Sequence, residues 1–514
     1  MTQPSSNLSP NIFQRLAVGY AAAPGWVRHG LVAIFFATIV AVIMGPAVTQ
    51  CNTTLNGYPG DSTSGLIWKN WVAVQEKSGP WGGFSQYSNA PFGENLTNPA
   101  SLTSQAIILP SWALAFLTSP MCSWNIMIFA GLFLCAMTMY GLVMWLTRSP
   151  LAAVFAGYAV AFSPYHMVKA GGHIGYVYSF VLILLVWAFL YFWSRPSFRR
   201  ALLLGAAFAL PMYTDGYYIL IGTVMLATMV VASSMYTLIR TRNVFTFLKH
   251  HLLRLTGGLL FSAVLLLPIG IGYSTSSSAV QGGLSSVRGD IHKEVFAFTA
   301  RWREFLVPPV THPWWGDLAR TIDLHDSNYS EQTLYLGYIV ILLAIVGFVW
   351  LLRRRRHDPL GLAAVTLVSV TLVSGLFSMQ PFLTLGSLQI PTPPELVARS
   401  IELWRVYARF FLPLHLALCA LAGIGLYALL APRRQLVRWS LFLIAMIVVA
   451  VEFLTMPPRP TWSYSDSPEV YHWLKGQPQI SIAAEYPLLN PPAQVAYDYF
   501  TNQQVHGKKL FNTA

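Results

Sequence analysis

Uncharged apolar runs of bilayer length recur along this chain, and they leave few folds open to it. Leu31 to Val48, Ile126 to Leu146 and Ile174 to Trp193 contain no charged residue. A helix needs about 20 apolar residues to cross the hydrocarbon core of a membrane. Of the 514 residues 55% are hydrophobic and 10% charged, whereas a soluble domain carries about 25% charged residues. Within lipid the backbone must satisfy its own hydrogen bonds, and the alternation expected of a barrel strand is absent. The chain therefore reads as an all-α polytopic membrane protein. About eleven transmembrane helices are predicted, at residues 31–48, 126–146, 151–163, 174–193, 201–211, 217–238, 252–271, 334–352, 360–377, 406–430 and 441–454.

The net charge of +13 would point to a nucleic acid in a soluble protein. Here it records topology. Arg15, Arg28, Arg148, Arg195, Arg199, Arg200, Arg240, Arg242, Lys249, Arg254, Arg353 to Arg356, Arg433, Arg434 and Arg438 all fall between spans on one side. They make 17 of the 32 Lys and Arg, against the single acid Asp358. By the positive-inside rule this side is cytoplasmic. The N-terminus is then inside, the first span is retained rather than cleaved, and the C-terminus is outside. The setting expected is a bacterial inner membrane. Residues 1–456 form the membrane bundle, with long outer loops at 49–121 and 274–332. Within the first loop Gln105 to Leu117 is apolar, interrupted by Pro110 and too short to span, which suits an interfacial helix. Residues 457–514 are a small outer tail, with a helix start at Ser467-Pro468-Glu469 and a stop at Gly476.

With the topology set, the unusual polar residues gather on the outer face. Asp61 is the first acid in the sequence and sits on the turn Gly57-Tyr58-Pro59-Gly60-Asp61-Ser62. It reads either as a catalytic base or as a turn-capping residue. Asp215 stands between two spans beside Gly216, as a functional acid or a helix cap. His166, Lys169 and His173 share a helical face, which suits a phosphate or a wetted polar rim. Glu402, Arg405 and Arg409 lie at i, i+3 and i+7, entering the tenth predicted span. An arginine at headgroup level can clamp a lipid phosphate with two hydrogen bonds, or it can snorkel to the interface with Glu402 paired to Arg405. Trp68, Trp71, Trp81, Trp314 and Trp315 offer faces to a sugar ring or belong to an interfacial belt.

Cys51 and Cys122 bracket the first outer loop and are the cysteines placed outside. We expect them to pair, which would stabilise the loop by roughly 4 kcal/mol in the chain-entropy model. No nucleotide-binding loop, metal-ligand spacing or catalytic triad is present, so neither a metal nor a cofactor is expected.

The layout resembles the GT-C superfamily of integral-membrane glycosyltransferases. The resemblance rests on the Gly60-Asp61 acid after the first span, two long outer loops, and three short strings: Asn89 to Leu96, Arg405 to Phe410, and Glu485-Tyr486-Pro487. It implies a polyprenyl-phosphate sugar donor, an extracytoplasmic glycan, lipid or protein as acceptor, and inversion at the sugar. Asp61 is then the base, Asp215 the second acid, and Arg405, Arg409, Lys169 and His166 the donor-phosphate ligands. Where many members carry a second acid beside the first, this chain has Ser62 and Ser64. A lipid or glycan transporter and a non-catalytic envelope-assembly protein are the rival classes. The sugar and the acceptor cannot be read from the sequence.

Overall fold

The computed structural model describes residues 24–97, 99–287, 291–322, 329–353, 359–386, 388–401, 403–455, 461–486 and 494–511. The helices that organise it are, in order, α1 (Gly25–Met44), α2 (Asp61–Glu76), α3 (Gln105–Leu117), α4 (Pro120–Thr147), α5 (Pro150–Ala161) and α6 (Pro164–Lys169). These are followed by α7 (Phe180–Ser194), α8 (Phe198–Met212), α9 (Tyr217–Thr241), α10 (Leu253–Val287) and α11 (Tyr329–Gln332). The last are α12 (Tyr338–Arg353), α13 (Pro359–Ser378), α14 (Phe411–Leu430), α15 (Gln435–Glu452) and α16 (Gln494–His506). Each of the eleven predicted spans falls on one of these helices. Among the described residues, eight helices are long and apolar enough to cross a membrane. The protein is thus polytopic, and α5, α8 and α12 are shorter helices packed within the bundle, at 12, 15 and 16 residues.

Local chemistry fixes where the helices start. Ser119 caps α4 by accepting the Cys122 N–H at 3.1 Å, with Pro120 in the first turn. Ser163 and Pro164 repeat the arrangement at α6. Serine accepts an otherwise unpaired amide, and proline gives up one that has no partner there. The Leu-, Ala- and Gly-rich α14 is the central helix, and 89% of its apolar segment is buried. It packs on α12, α13 and α5.

The helix ends define two faces of the bundle. On one, Cys51 is joined to Cys122, with 4.6 Å between their α-carbons. On that face too the Glu452 carboxylate at the end of α15 accepts the Ile339 N–H at the start of α12. The opposite face gathers Arg148, Arg195, Arg242, Arg353 and Arg433, each at or just beyond a helix end. The tail returns to the first face. Its strand β2 (Thr461–Ser463) pairs antiparallel with β1 (Thr54–Asn56), and α16 packs along α2. The helix Glu469–Lys475 begins and stops where the sequence indicated, with Gly476 as its C-cap.

Candidate functional site

The turn ahead of α2 is docked on the turn that carries Lys169. Asn56 donates from its side chain to the Ala170 carbonyl at 2.8 Å, and its N–H donates to Asn125 at 2.9 Å. Gly57 has φ +110°, and a Cβ there would lie 2.2 Å from the Gly171 carbonyl oxygen. Only glycine fits that conformation and that approach. The Gly60 N–H donates to the Ser64 hydroxyl at 3.1 Å, which in turn meets Thr501 of the tail at 2.9 Å. Asp61 follows as the first residue of α2, and its side chain lies outside the described residues. In backbone terms it is one turn before Gly65.

Beside this turn is a buried cluster of charge. Glu331 on α11 accepts from Arg409 Nη2 at 2.7 Å and from its Nε at 3.2 and 3.3 Å, and pairs with Lys169 Nζ at 2.9 Å. The Lys169 side chain is 0% and that of Glu331 3% exposed. Arg409 also donates to the Tyr176 hydroxyl at 2.5 Å, and its guanidinium lies 4.6 and 4.2 Å from the ring centres of Tyr176 and Tyr217. Tyr176 donates onward to Asp215 Oδ1 at 3.2 Å. That oxygen also accepts the Tyr217 N–H at 2.9 Å, so Asp215 caps α9 and joins the cluster at once.

The electrostatics follow from burial and neighbours. Burial raises Glu331, but Lys169 and Arg409 more than reverse it and hold the carboxyl well below its usual range. Burial lowers Lys169 to about 8, with Glu331 opposing the shift. At Asp215 burial outweighs Arg409, and the carboxyl is raised. One permanent cation, Arg409, and one that titrates, Lys169, thus share one firm anion, with a second, more readily protonated acid alongside.

Asp215 also lines a cavity of about 320 Å³, together with Gly175, Thr214, the Gly65–Glu76 side of α2, Trp81 and Trp112. A Cβ on Gly175 would sit 2.4 Å from Asp215 Oδ2, so this glycine makes room for the carboxylate at the cavity wall. Trp81 is fixed there by its Nε1 donating to Gln105 at 3.0 Å.

Several expectations change. His166 is fully buried, with one ring nitrogen 3.1 Å from the Ser163 hydroxyl and the other 2.7 Å from that of Ser179. It has no nitrogen left for a phosphate. The helical stripe of Glu402, Arg405 and Arg409 does not form. Ile401 is extended, the α-helix starts only at Phe411, and the Ala408 N–H is drawn to the Phe298 carbonyl. Glu402 lies outside the described residues. Arg405 turns away to Glu294 at 3.2 Å, while Arg409 turns to Glu331. Trp68 and Trp71 are buried, Trp68 against Phe500 and Gln503 and Trp71 against Tyr87, and are closed to a sugar. Trp315 stacks on His312 at 4.4 Å. Sequence reasoning passed over Glu331 and Tyr176. Glu331 had a signal, an acid three residues before an apolar span, the same cue that singled out Asp215.

No protein-family model matches the chain, and no curated protein resembles it in sequence. Its fold, however, is similar to that of the oligosaccharyltransferase AglB of Archaeoglobus fulgidus, in complex with an inhibitory peptide and a dolichol-phosphate. The TM-score is 0.50 at 11% identity over 95% of this chain and 64% of that one. The apo form of the A. fulgidus oligosaccharyltransferase gives 0.49 at 11% identity, over 94% of this chain and 64% of that one. ArnT from Cupriavidus metallidurans bound to undecaprenyl phosphate gives 0.45 at 15%, over 84% and 64%. The chain thus spans just under two thirds of the length of these proteins. It has a GT-C-like fold.

Proposed function

We propose that this protein is a membrane glycosyltransferase that moves a sugar from a polyprenyl-phosphate donor to an extracytoplasmic acceptor with inversion. The observation that carries the reading is the buried pairing of Lys169 and Arg409 around Glu331, one hydroxyl away from Asp215 at a cavity wall. Burying two cations costs several kcal/mol each, and a single carboxylate, Glu331, is shared between them, which leaves positive charge for an anionic ligand to meet. The AglB structure, of like fold, is in complex with a dolichol-phosphate.

In this reading Asp61, at the head of α2, takes the proton of an acceptor hydroxyl as its oxygen attacks the anomeric carbon. The bond from that carbon to the phosphate oxygen breaks, and the charge left on the lipid phosphate is met by Arg409 and Lys169. Arg405, 42% exposed and held by Glu294, serves at the rim. Asp215 offers Oδ2 to a sugar hydroxyl while its Oδ1 keeps Tyr176 and Arg409 in place. Transfer from a polyprenyl-phosphate sugar by the purified protein tests this, beside Asp61→Asn. The amide keeps the size of the acid but takes no proton. Transfer should fall about 10²-fold or more with donor binding unchanged. Full transfer in the variant would remove the base from the mechanism.

A further inference from the structure

The end of the bundle opposite the Glu331 cluster holds a cavity of about 660 Å³ that the proposed reaction does not use. Four arginines line it, Arg148 beyond α4, Arg195 beyond α7, Arg200 on α8 and Arg240 on α9, and among the described residues no acid does. Its walls are aromatic. Arg200 stacks 3.9 Å over the Tyr191 ring and is fixed by donating to the carbonyls of Tyr191 and Arg195 at 3.1 and 3.0 Å. Arg240 lies 4.7 Å over the Tyr236 ring. Trp193 is anchored through its Nε1 to Thr237 at 3.0 Å.

Two apolar grooves meet this basic cavity. One, of about 690 Å³ between α9 and α13, shares Tyr236 with it and runs by Ala232 and Val224 to Phe377. The other, of about 500 Å³ between α4 and α7, shares Trp145 and Arg148 and runs by Met144 and Trp187. Arginine clamps phosphate oxygens in pairs, and basic pockets between membrane helices suit anionic headgroups. A soluble phosphate accounts for the arginines but not for apolar grooves leading from them into the membrane.

We infer that this cavity binds the phosphate headgroup of an anionic phospholipid whose acyl chains lie in the two flanking grooves. The test uses the full chain in detergent, with bound phosphatidylglycerol, phosphatidylcholine and inorganic pyrophosphate followed by native mass spectrometry. Phosphatidylglycerol should bind about tenfold tighter than phosphatidylcholine or more, as expected of several arginines near one headgroup. The combined Arg148→Gln, Arg195→Gln, Arg240→Gln variant should lose that preference. Removing equal charge from the same face but outside the cavity, by Arg353→Gln, Arg433→Gln and Arg434→Gln, should leave it. Ala232→Trp fills a groove without touching charge, and should weaken phosphatidylglycerol while sparing pyrophosphate. Equal loss in the two arginine variants would mean diffuse surface attraction and overturn the site. Pyrophosphate binding as tightly as the lipid, no headgroup preference in the unmutated chain, or no effect of Ala232→Trp would each overturn the lipid.

Discussion

Lys169 decides much at the scale of single residues. Its ammonium is buried and lowered to about 8, so it is charged at neutral pH and loses its proton well before an ordinary lysine. Binding of a polyprenyl phosphate should therefore weaken as pH rises through about 8, and a binding isotherm flat from pH 7 to pH 10 would exclude Lys169 as a ligand. Folding stability carries the opposite sign. Between about 8 and the ordinary lysine value the unfolded chain holds the proton that the folded chain has lost, so this group's contribution to stability rises with pH. Glu331 gives a second prediction. Glu331→Gln leaves two buried cations facing an amide, at a cost of about 3 kcal/mol. Lipid phosphate should restore more stability to this variant than it adds to the unmutated chain, because it supplies the missing anion. Equal thermal shifts in both would show that the phosphate does not meet Lys169 and Arg409. Lys169, Asp215 and Arg409 were legible because an ionisable residue at the edge of an apolar span is costly and stands out. Tyr176 was not, since a tyrosine within an apolar run looks like any other aromatic. His166 misled because helical spacing says which residues share a face, not which of them has its hydrogen bonds already taken, as His166 has by Ser163 and Ser179.

Among the elements, α2 depends most on parts remote in sequence. Trp68 donates its buried Nε1 to Gln503 at 2.6 Å, and Gln503 donates to the carbonyls of Tyr87 and Lys508. The contact between Ser64 and Thr501 spans 437 residues of chain. Nothing local announces such a tether, and for this reason the tail's packing on the first loop was legible only in outline. The segment before α14 failed for a related reason. The spacing from Glu402 to Arg409 fits a 3.6-residue period, but the Ala408 N–H bonds the Phe298 carbonyl and the α-helix starts only at Phe411. Gln503→Leu should cost about 1–3 kcal/mol by orphaning the buried Trp68 N–H. In the proposed mechanism it should also lower transfer while leaving donor binding intact, because the phosphate ligands sit on other elements. A variant that lost binding and transfer in the same proportion would place α2 within the phosphate site instead of beside it.

For the whole molecule the apolar spans and the one-sided arginines carried the fold, because bilayer thickness and backbone satisfaction allow few alternatives. The structure adds where the first and last described residues lie. The start of α1 is fixed to the arginine-rich face, where His29 meets Tyr140 near the far end of α4 at 2.8 Å. The tail is fixed to the other face by β2 against β1 and by α16 against α2. The first described residues and the tail therefore lie at opposite ends of the bundle, as eleven crossings require when α5, α8 and α12 are counted with the eight longer helices. Since the arginine-rich face should be cytoplasmic, alkaline phosphatase fused after Ala514 should be active in intact cells and green fluorescent protein at that place dark. A tag before Met1 should resist added protease until the membrane is opened. A fluorescent C-terminal fusion with a protected N-terminal tag would put both ends on one side, which contradicts the crossing count. A fluorescent C-terminal fusion with an accessible N-terminal tag would keep the count and invert the molecule. Lys169, Arg409 and Asp215 would then face the cytoplasm, and the proposal of an extracytoplasmic acceptor would fall while the geometry of the site stood.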